Sequence, residues 1–277
     1  MINFSGEIID RSNLSFTEEN RAFKYGDAVF ETIKFANGKL VFWEDHYFRL
    51  MTGMRIFRMD IPMNFSPEYL EEQILETITA NHLEHGANRV RLSVFRADGG
   101  TYTPKTNNVE YIISVSQIPH QKFELNETGL VLDLYKDHFK QKSLLSNIKS
   151  ANALLYVLAS VFKKENGLNE CVLLNDDKHV VEAISSNIFM VKGNEIITPP
   201  ESSGCLKGVM RKNVLKLLKS SSYDVKEETF SPFELQRADE VFLTNAIKGI
   251  QWVGKYRKKE FTKKVSLELV NQLNELI

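Results

Sequence analysis

Four stretches of this chain carry residues that could do chemistry. In Asn147-Ile148-Lys149-Ser150-Ala151-Asn152 a lysine stands immediately before an apolar helical pattern. Once deprotonated, such an amine can attack a carbonyl or take up a proton. A single lysine at a helix start is ordinarily a solvated surface residue, so position alone decides nothing. In Val180-Val181-Glu182-Ala183-Ile184-Ser185-Ser186-Asn187-Ile188-Phe189 a carboxylate ends one apolar strand and small polar residues lead into the next. Glu182 reads either as a turn residue or as a carboxylate facing a buried cation. Gly208-Val209-Met210-Arg211-Lys212-Asn213 opens a helix through Leu218, whose free backbone N–H groups suit a phosphate. His46-x-x-Arg49-Leu50 offers a guanidinium fork for phosphate oxygens.

The elements that must position these residues alternate between strand and helix. Val29 to Phe35 reads as a strand, Asn37-Gly38-Lys39 as a turn, and Leu40 to Trp43 as the return of a hairpin. From Trp43 to Arg58 the period becomes helical. Ser66-Pro67-Glu68 is a helix start, with the helix running to about His85. Arg89 to Phe95 and Val109 to Ser116 read as strands. Gln117 to Leu125 breaks both periods and marks a domain boundary, giving an N-terminal domain 1–118 and a C-terminal domain 119–277. In the second part, Leu130 to Tyr135 is a strand. A helix follows from about Ala151 to Glu165, with Leu154, Leu155, Leu158, Val161 and Phe162 on one face. Further strands cover Glu170 to Leu174, a stretch from His179, Ile188 to Val191, Glu195 to Thr198, and one ending in Phe242-Leu243-Thr244-Asn245.

Composition narrows the chemistry. The 277 residues are 43% hydrophobic, enough for a substantial core. Charge is balanced, 35 Lys plus Arg against 36 Asp plus Glu, so neither nucleic acid nor an acidic membrane is called for as a partner. The basic run Lys255-Tyr256-Arg257-Lys258-Lys259 reads as a solvated loop. Two cysteines, Cys171 and Cys205, make neither a disulfide framework nor a metal-ligand spacing, and no metal is expected. The opening residues have no basic start and no long apolar stretch, which points away from a signal peptide. No window reaches the roughly 18 apolar residues of a membrane helix. A cytoplasmic protein is expected. Phosphate-loop, dinucleotide, His-Glu-x-x-His and Gly-x-Ser-x-Gly signatures are all missing, which leaves a carbonyl cofactor held by lysine as one source of chemistry.

Taken together, the motifs resemble the class IV aminotransferases, the fold-type IV pyridoxal-phosphate enzymes. The likeness runs from Tyr25-Gly26-Asp27-Ala28-Val29-Phe30-Glu31, through the four stretches above, to Phe242-Leu243-Thr244-Asn245-Ala246. It implies two α/β domains, a smaller N-terminal α/β sandwich and a larger C-terminal α/β pseudo-barrel, with pyridoxal 5′-phosphate between them. Lys149 would be the Schiff-base residue and general base, and Glu182 would bind the pyridine nitrogen. Arg49 would bind phosphate, helped by the N–H groups of Val209 and Met210 and by Thr244 or Asn245. Asn152 would position the cofactor or serve only as a helix-surface amide. Asn187 would orient Glu182, shape the pocket, or merely stabilise a turn. Lys149 and Glu182 are both placed in the larger domain. Relatives are generally homodimers, so a homodimer acting on a small amino substrate is implied.

Departures inside the family select among activities. Branched-chain aminotransferases usually have a tyrosine five residues after the lysine, where this chain has Leu154. D-amino-acid aminotransferases have a tyrosine where Phe30 stands, and an Arg-x-His pair in the loop that here reads Arg96-Ala97-Asp98-Gly99-Gly100-Thr101-Tyr102-Thr103-Pro104. That loop is similar to the Arg-Gly-x-Gly-Gly-x-x-Tyr loop of aminodeoxychorismate lyases. The expected activity is therefore a lyase releasing pyruvate and 4-aminobenzoate, with Arg96, Tyr102 and Phe30 near the substrate. An aminotransferase acting on branched-chain or D-amino acids is the rival reading. A non-catalytic cofactor carrier would be expected to lack at least one of Lys149, Glu182 and Arg49.

Overall fold

In the computed structural model, which describes Met1–Ile277, the alternation read over Val29 to Phe35 becomes a strand of nine residues. It belongs to the first of two units, formed by Met1–Gln121 together with Ile148–Asn152. That unit holds an antiparallel sheet of β1 Ile2–Phe4, β2 Glu7–Ile9, β3 Ala28–Ala36, β4 Lys39–Leu40, β5 Ala87–Arg96 and β6 Val109–Ile118, in the order β2-β1-β6-β5-β3-β4. A short helix, α1 Arg21–Tyr25, precedes β3. Alternate residues along the long strands, among them Val29, Ile33, Val90, Leu92, Val94, Ile113 and Val115, turn to one buried face. Leu50, Met51 and Met54 of α2 Trp43–Ile56 and Leu70, Ile74 and Ile78 of α3 Pro67–Thr79 join them in one core.

The start of α3 follows from its sequence: Ser66 Oγ accepts the Tyr69 N–H at 3.2 Å, and Pro67 occupies the first turn. Its end comes at Thr79, six residues before His85. Asn81 Nδ2 donates to Thr77 O at 2.7 Å, and His82 adopts φ 57°, so a side-chain amide takes over from the helical ladder.

The second unit comprises Lys122–Asn147 and Ala153–Ile277. Its mixed sheet contains β7 Leu130–Leu134, β8 Glu170–Leu174, β9 Val180–Ala183, β10 Asn187–Lys192, β11 Glu195–Thr198, β12 Asp224–Glu227, β13 Glu240–Asn245 and β14 Gly249–Tyr256, in the order β12-β11-β10-β13-β14-β7-β8-β9. β15 Lys259–Glu260 pairs with β14. The helices are α4 Leu154–Glu165, α5 Val209–Lys219, α6 Pro232–Leu235 and α7 Lys264–Asn274. No helix is long and apolar enough to cross a membrane.

Three expectations change. The basic run Lys255 to Lys259 is not a loop but the hairpin of β14 and β15, turning at Arg257 with φ 54° and burying Tyr256. α4 begins at Leu154, and its apolar residues do not share one face. Leu155, Tyr156, Ala159 and Phe162 pack with Tyr135, Cys171 and Leu173, while Leu154, Val157, Leu158 and Val161 are exposed. The division falls after Gln121, and Ile148–Asn152 goes with the first unit, so Lys149 does not lie in the same unit as Glu182.

Candidate active site

Lys149 is placed by strand pairing. β4 pairs only with Phe35 and Ala36, which leaves the start of β3 open on that side. The segment Ile148–Asn152 pairs there: Phe30 N–H donates to Lys149 O at 2.9 Å, Ala151 N–H donates to Ala28 O at 2.9 Å, and Val29 bridges Ser150. Ile148 enters the core beside Val29. The half-buried Lys149 carries its Nζ to 4.5 Å from the Phe30 ring centroid. Arg91 Cζ lies 3.8 Å from the same ring. Asn152 Nδ2 donates to Gly26 O at 3.1 Å, tying the segment to the turn before β3.

Next to Phe30, on the opposite face of β3, Glu31 is 1% exposed. Arg49 grips it with two hydrogen bonds, Nε to Oε1 at 2.7 Å and Nη2 to Oε2 at 2.5 Å, and His46 Nδ1 lies 2.6 Å from Oε2. His46 and Arg49 are three residues apart on α2 and so share a face. Burial pushes the Glu31 carboxyl up, but the Arg49 guanidinium and His46 outweigh it and hold it at about 2. Burial lowers His46 against the pull of Glu31, with the charges of Arg49 and Lys149 adding to the lowering. A neutral His46 then donates its Nδ1 proton to the carboxylate. Glu31 thus fixes the orientation of Arg49.

Arg96, expected near the substrate, is used within the chain. It is buried, and its guanidinium donates to Asp27 Oδ2 at 2.8 Å, Arg58 O at 3.2 Å, Asn107 Oδ1 at 2.6 Å and Phe57 O at 2.6 Å. Those bonds anchor the base of the glycine loop. Arg21, which sequence reasoning missed, holds the same Asp27 oxygen at 2.9 Å and donates to Gly99 O and Thr101 O. Gly100, at φ 84°, leaves no room for a side chain, since a Cβ would stand 2.3 Å from Thr103 O. Tyr102 is 90% exposed, its ring 5.6 Å from that of Tyr25. Arg91 has no carboxylate partner, and its Nε donates to Ser93 Oγ at 3.1 Å. Burial and the neighbouring Arg89 both lower its proton affinity, so an anion there would be favoured. Alternation along β5 puts Arg89 and Arg91 on one face of the sheet, a pattern visible in the sequence but silent about partners.

In the second unit, Glu182 is buried at the heart of β9. Its Oε1 accepts from Lys140 Nζ and from Tyr156 Oη at 2.7 Å, and its Oε2 accepts from Leu206 N–H at 2.7 Å. Lys140 Nζ also donates to Tyr156 Oη at 2.7 Å. Neither Lys140 nor Tyr156 stands in a recognisable motif, and sequence reasoning missed both. Asn187, on β10, donates to Leu206 O at 2.9 Å, fixing the turn whose N–H reaches Glu182.

The start of α5 is open. Its N-cap, Gly208, has no side chain to bond the first N–H groups, which include those of Val209 and Met210. A Cβ at Gly208 would lie 1.9 Å from Asn187 Oδ1, so only glycine fits. Thr244 pairs with Asn187 across β10 and β13, and its buried Oγ1 has no hydrogen-bond partner. Asn245 is used within the chain: its Nδ2 donates to Ser185 O at 2.6 Å and its Oδ1 accepts from Ile247 N–H at 2.9 Å. An uncapped helix start and an orphaned buried hydroxyl form a donor set that fits a phosphate, and Glu182 is an acceptor that fits a protonated ring nitrogen.

Known proteins resemble this chain along most of its length. The family model for amino-transferase class IV matches residues 28–256. A putative branched-chain-amino-acid aminotransferase of Methanocaldococcus jannaschii is 30% identical, covering 99% of this chain and 94% of its own. A D-alanine aminotransferase of Bacillus licheniformis is 28% identical, over 98% and 96%. An aminodeoxychorismate lyase of Vibrio harveyi is 29% identical, over 83% of each chain. Among solved structures, a putative 4-amino-4-deoxychorismate lyase of Legionella pneumophila superposes with a TM-score of 0.85 at 25% identity, covering 98% of both chains. A T.th. branched-chain aminotransferase, solved with pyridoxamine 5′-phosphate, gives 0.86 at 23% identity, covering 99% of this chain and 92% of that one. The chain belongs to the class IV aminotransferases, a family of two-domain fold-type IV enzymes built around pyridoxal phosphate.

Proposed function

We propose that this enzyme is a 4-amino-4-deoxychorismate lyase, releasing pyruvate and 4-aminobenzoate. The observation that carries this reading is the Phe30 ring, with Lys149 Nζ 4.5 Å and Arg91 Cζ 3.8 Å from its centroid. A base and a cation without a carboxylate partner thus share one aromatic platform, an arrangement suited to an amine that also bears a carboxylate. Arg91 would take the contact expected of Arg96, whose guanidinium donates to Asn107 Oδ1 at the base of the Gly99-Gly100 loop while Arg21 donates to Gly99 O.

Pyridoxal 5′-phosphate, when bound, supplies an electron-withdrawing ring that stabilises negative charge on the substrate carbon bearing the amine. Lys149 would hold it through its amine and Glu182 through the ring nitrogen. Val209 and Met210 N–H, Thr244 Oγ1 and the Glu31-oriented Arg49 would hold the phosphate. Lys149 removes the proton from the ring carbon carrying the amine. The bond from the ring to the enolpyruvyl oxygen then breaks, the departing group takes up a proton and leaves as pyruvate, and the ring becomes aromatic. Leu154, where a tyrosine would favour amino transfer, is exposed on α4.

Amino transfer is the second reading, favoured by the 30% identity to the Methanocaldococcus protein. The two reactions share proton removal by Lys149 and diverge in the next step. A substrate panel on the cofactor-loaded protein separates them. The lyase reading expects 4-aminobenzoate from aminodeoxychorismate, and amino exchange between amino acids and 2-oxo acids at a small fraction of that rate. Rates in the reverse order would assign the chain to the transaminases. A homodimer is also proposed, supported by the exposed stripe Leu154, Val157, Leu158 and Val161 on α4.

A further inference from the structure

The surroundings of Glu182 contain a charge that pyridine binding alone does not require. Three separate segments meet on this one carboxylate. Lys140 is pinned by its backbone to the end of β8, its N–H donating to Leu174 O at 2.8 Å. Tyr156 comes from the packed side of α4, and Leu206 from the turn before α5. Lys140 and Glu182 are both nearly inaccessible to solvent. A buried ion pair contributes little to stability beyond what apolar packing would give, because both charges must be stripped of water. Its presence here points to another role.

Counting acceptor sites suggests that role. A carboxylate accepts about four hydrogen bonds, two on each oxygen. Lys140 and Tyr156 fill Oε1, and Leu206 N–H takes one site on Oε2. One site on Oε2 is left. Burial first, and the Glu182 charge second, push the Tyr156 hydroxyl upward, so it remains a donor. All three partners therefore stabilise a negative carboxylate.

We propose that Lys140, assisted by Tyr156, is a positioning residue that keeps the proton shared by Glu182 and the cofactor ring nitrogen on the nitrogen. The proposal rests on the reading of Glu182 as the ring-nitrogen partner. The ammonium touches the carboxylate, whereas a nitrogen bonded to the remaining Oε2 site lies farther from it. Its field therefore favours the pair of charged groups over the neutral pair. With the proton on nitrogen the ring withdraws electrons strongly; with the proton on Glu182 it does so weakly.

The test is nitrogen NMR of the holoenzyme, reconstituted with pyridoxal phosphate labelled with 15N in the ring. Wild type is expected at the protonated position. Lys140→Met moves the resonance downfield, toward unprotonated pyridine, Tyr156→Phe moves it less in the same direction, and Lys140→Arg restores it. Should Lys140→Met not fold, Tyr156→Phe decides alone. Wild-type shifts in Lys140→Met and Tyr156→Phe, alongside a downfield Glu182→Gln, would overturn the role of Lys140. A wild-type shift in Glu182→Gln would instead overturn the assignment of Glu182, and the inference with it.

Discussion

At Glu31, burial and charge act in opposite directions, and charge wins: the carboxyl sits at about 2, against 4.5 for the free group. A depressed folded value means stabilisation that is complete above 4.5 and lost as pH falls toward 2. Its size is on the order of 3 kcal/mol. His46 adds to the same trend. Its folded value is lowered from 6.5, so the unfolded chain takes the proton first and stability declines as pH falls through 6.5. Denaturant unfolding from pH 7 to 3 should show a steep loss of stability in wild type and a shallower one in Glu31→Gln. Parallel curves for the two proteins would deny Glu31 this role. Two arginines on β5 make a second contrast. Arg96→Ala, which takes this donor from the Phe57 and Arg58 carbonyls and Asn107 Oδ1 and leaves Asp27 to Arg21 alone, should cost about 2–4 kcal/mol in unfolding experiments. Arg91→Ala should leave stability within about 1 kcal/mol and raise KM at least tenfold for an acidic substrate. The sequence does not say which of these two residues is consumed by protein partners. Arg96 carries the motif, but burial and partners, not spacing, decide which guanidinium has a carboxylate.

Among the elements, α5 depends on one glycine. Gly208→Ala sets a methyl against Asn187 Oδ1, so either the helix start or β10 must move. We expect a loss of about 1–3 kcal/mol in stability and at least a tenfold weaker hold on pyridoxal phosphate, measured by titrating the cofactor into the cofactor-free protein. An unchanged affinity would show that this helix start does not bind the phosphate. The helix itself was legible from its period and its glycine, as were α2, α3 and the long strands β3, β5 and β6. What pairs with what was not. Ile148–Asn152 is too short to show an alternation, and its partner strand lies more than a hundred residues earlier, so periodicity could not reveal that Lys149 closes the open edge of β3. α4 misled for a related reason: an apolar period marks residues that avoid water without saying whether their own unit covers them.

For the whole molecule, the chain divides after Gln121, within the break at 117–125, and the segment Ile148–Asn152 with Lys149 belongs to the first unit. The exposed α4 stripe bears on assembly. Light scattering should give twice the chain mass of 31.8 kDa, and Leu158→Glu should halve the measured value. A wild-type mass of a single chain would dismiss the dimer. The central claim, a lyase whose base is Lys149, is tested most directly by following both products from 4-amino-4-deoxychorismate on the cofactor-loaded enzyme. Pyruvate and 4-aminobenzoate should form in equal amounts, and neither should form with Lys149→Ala. Failure of the wild type to form 4-aminobenzoate, while it moves amino groups from L- or D-amino acids to 2-oxo acids, would contradict that claim.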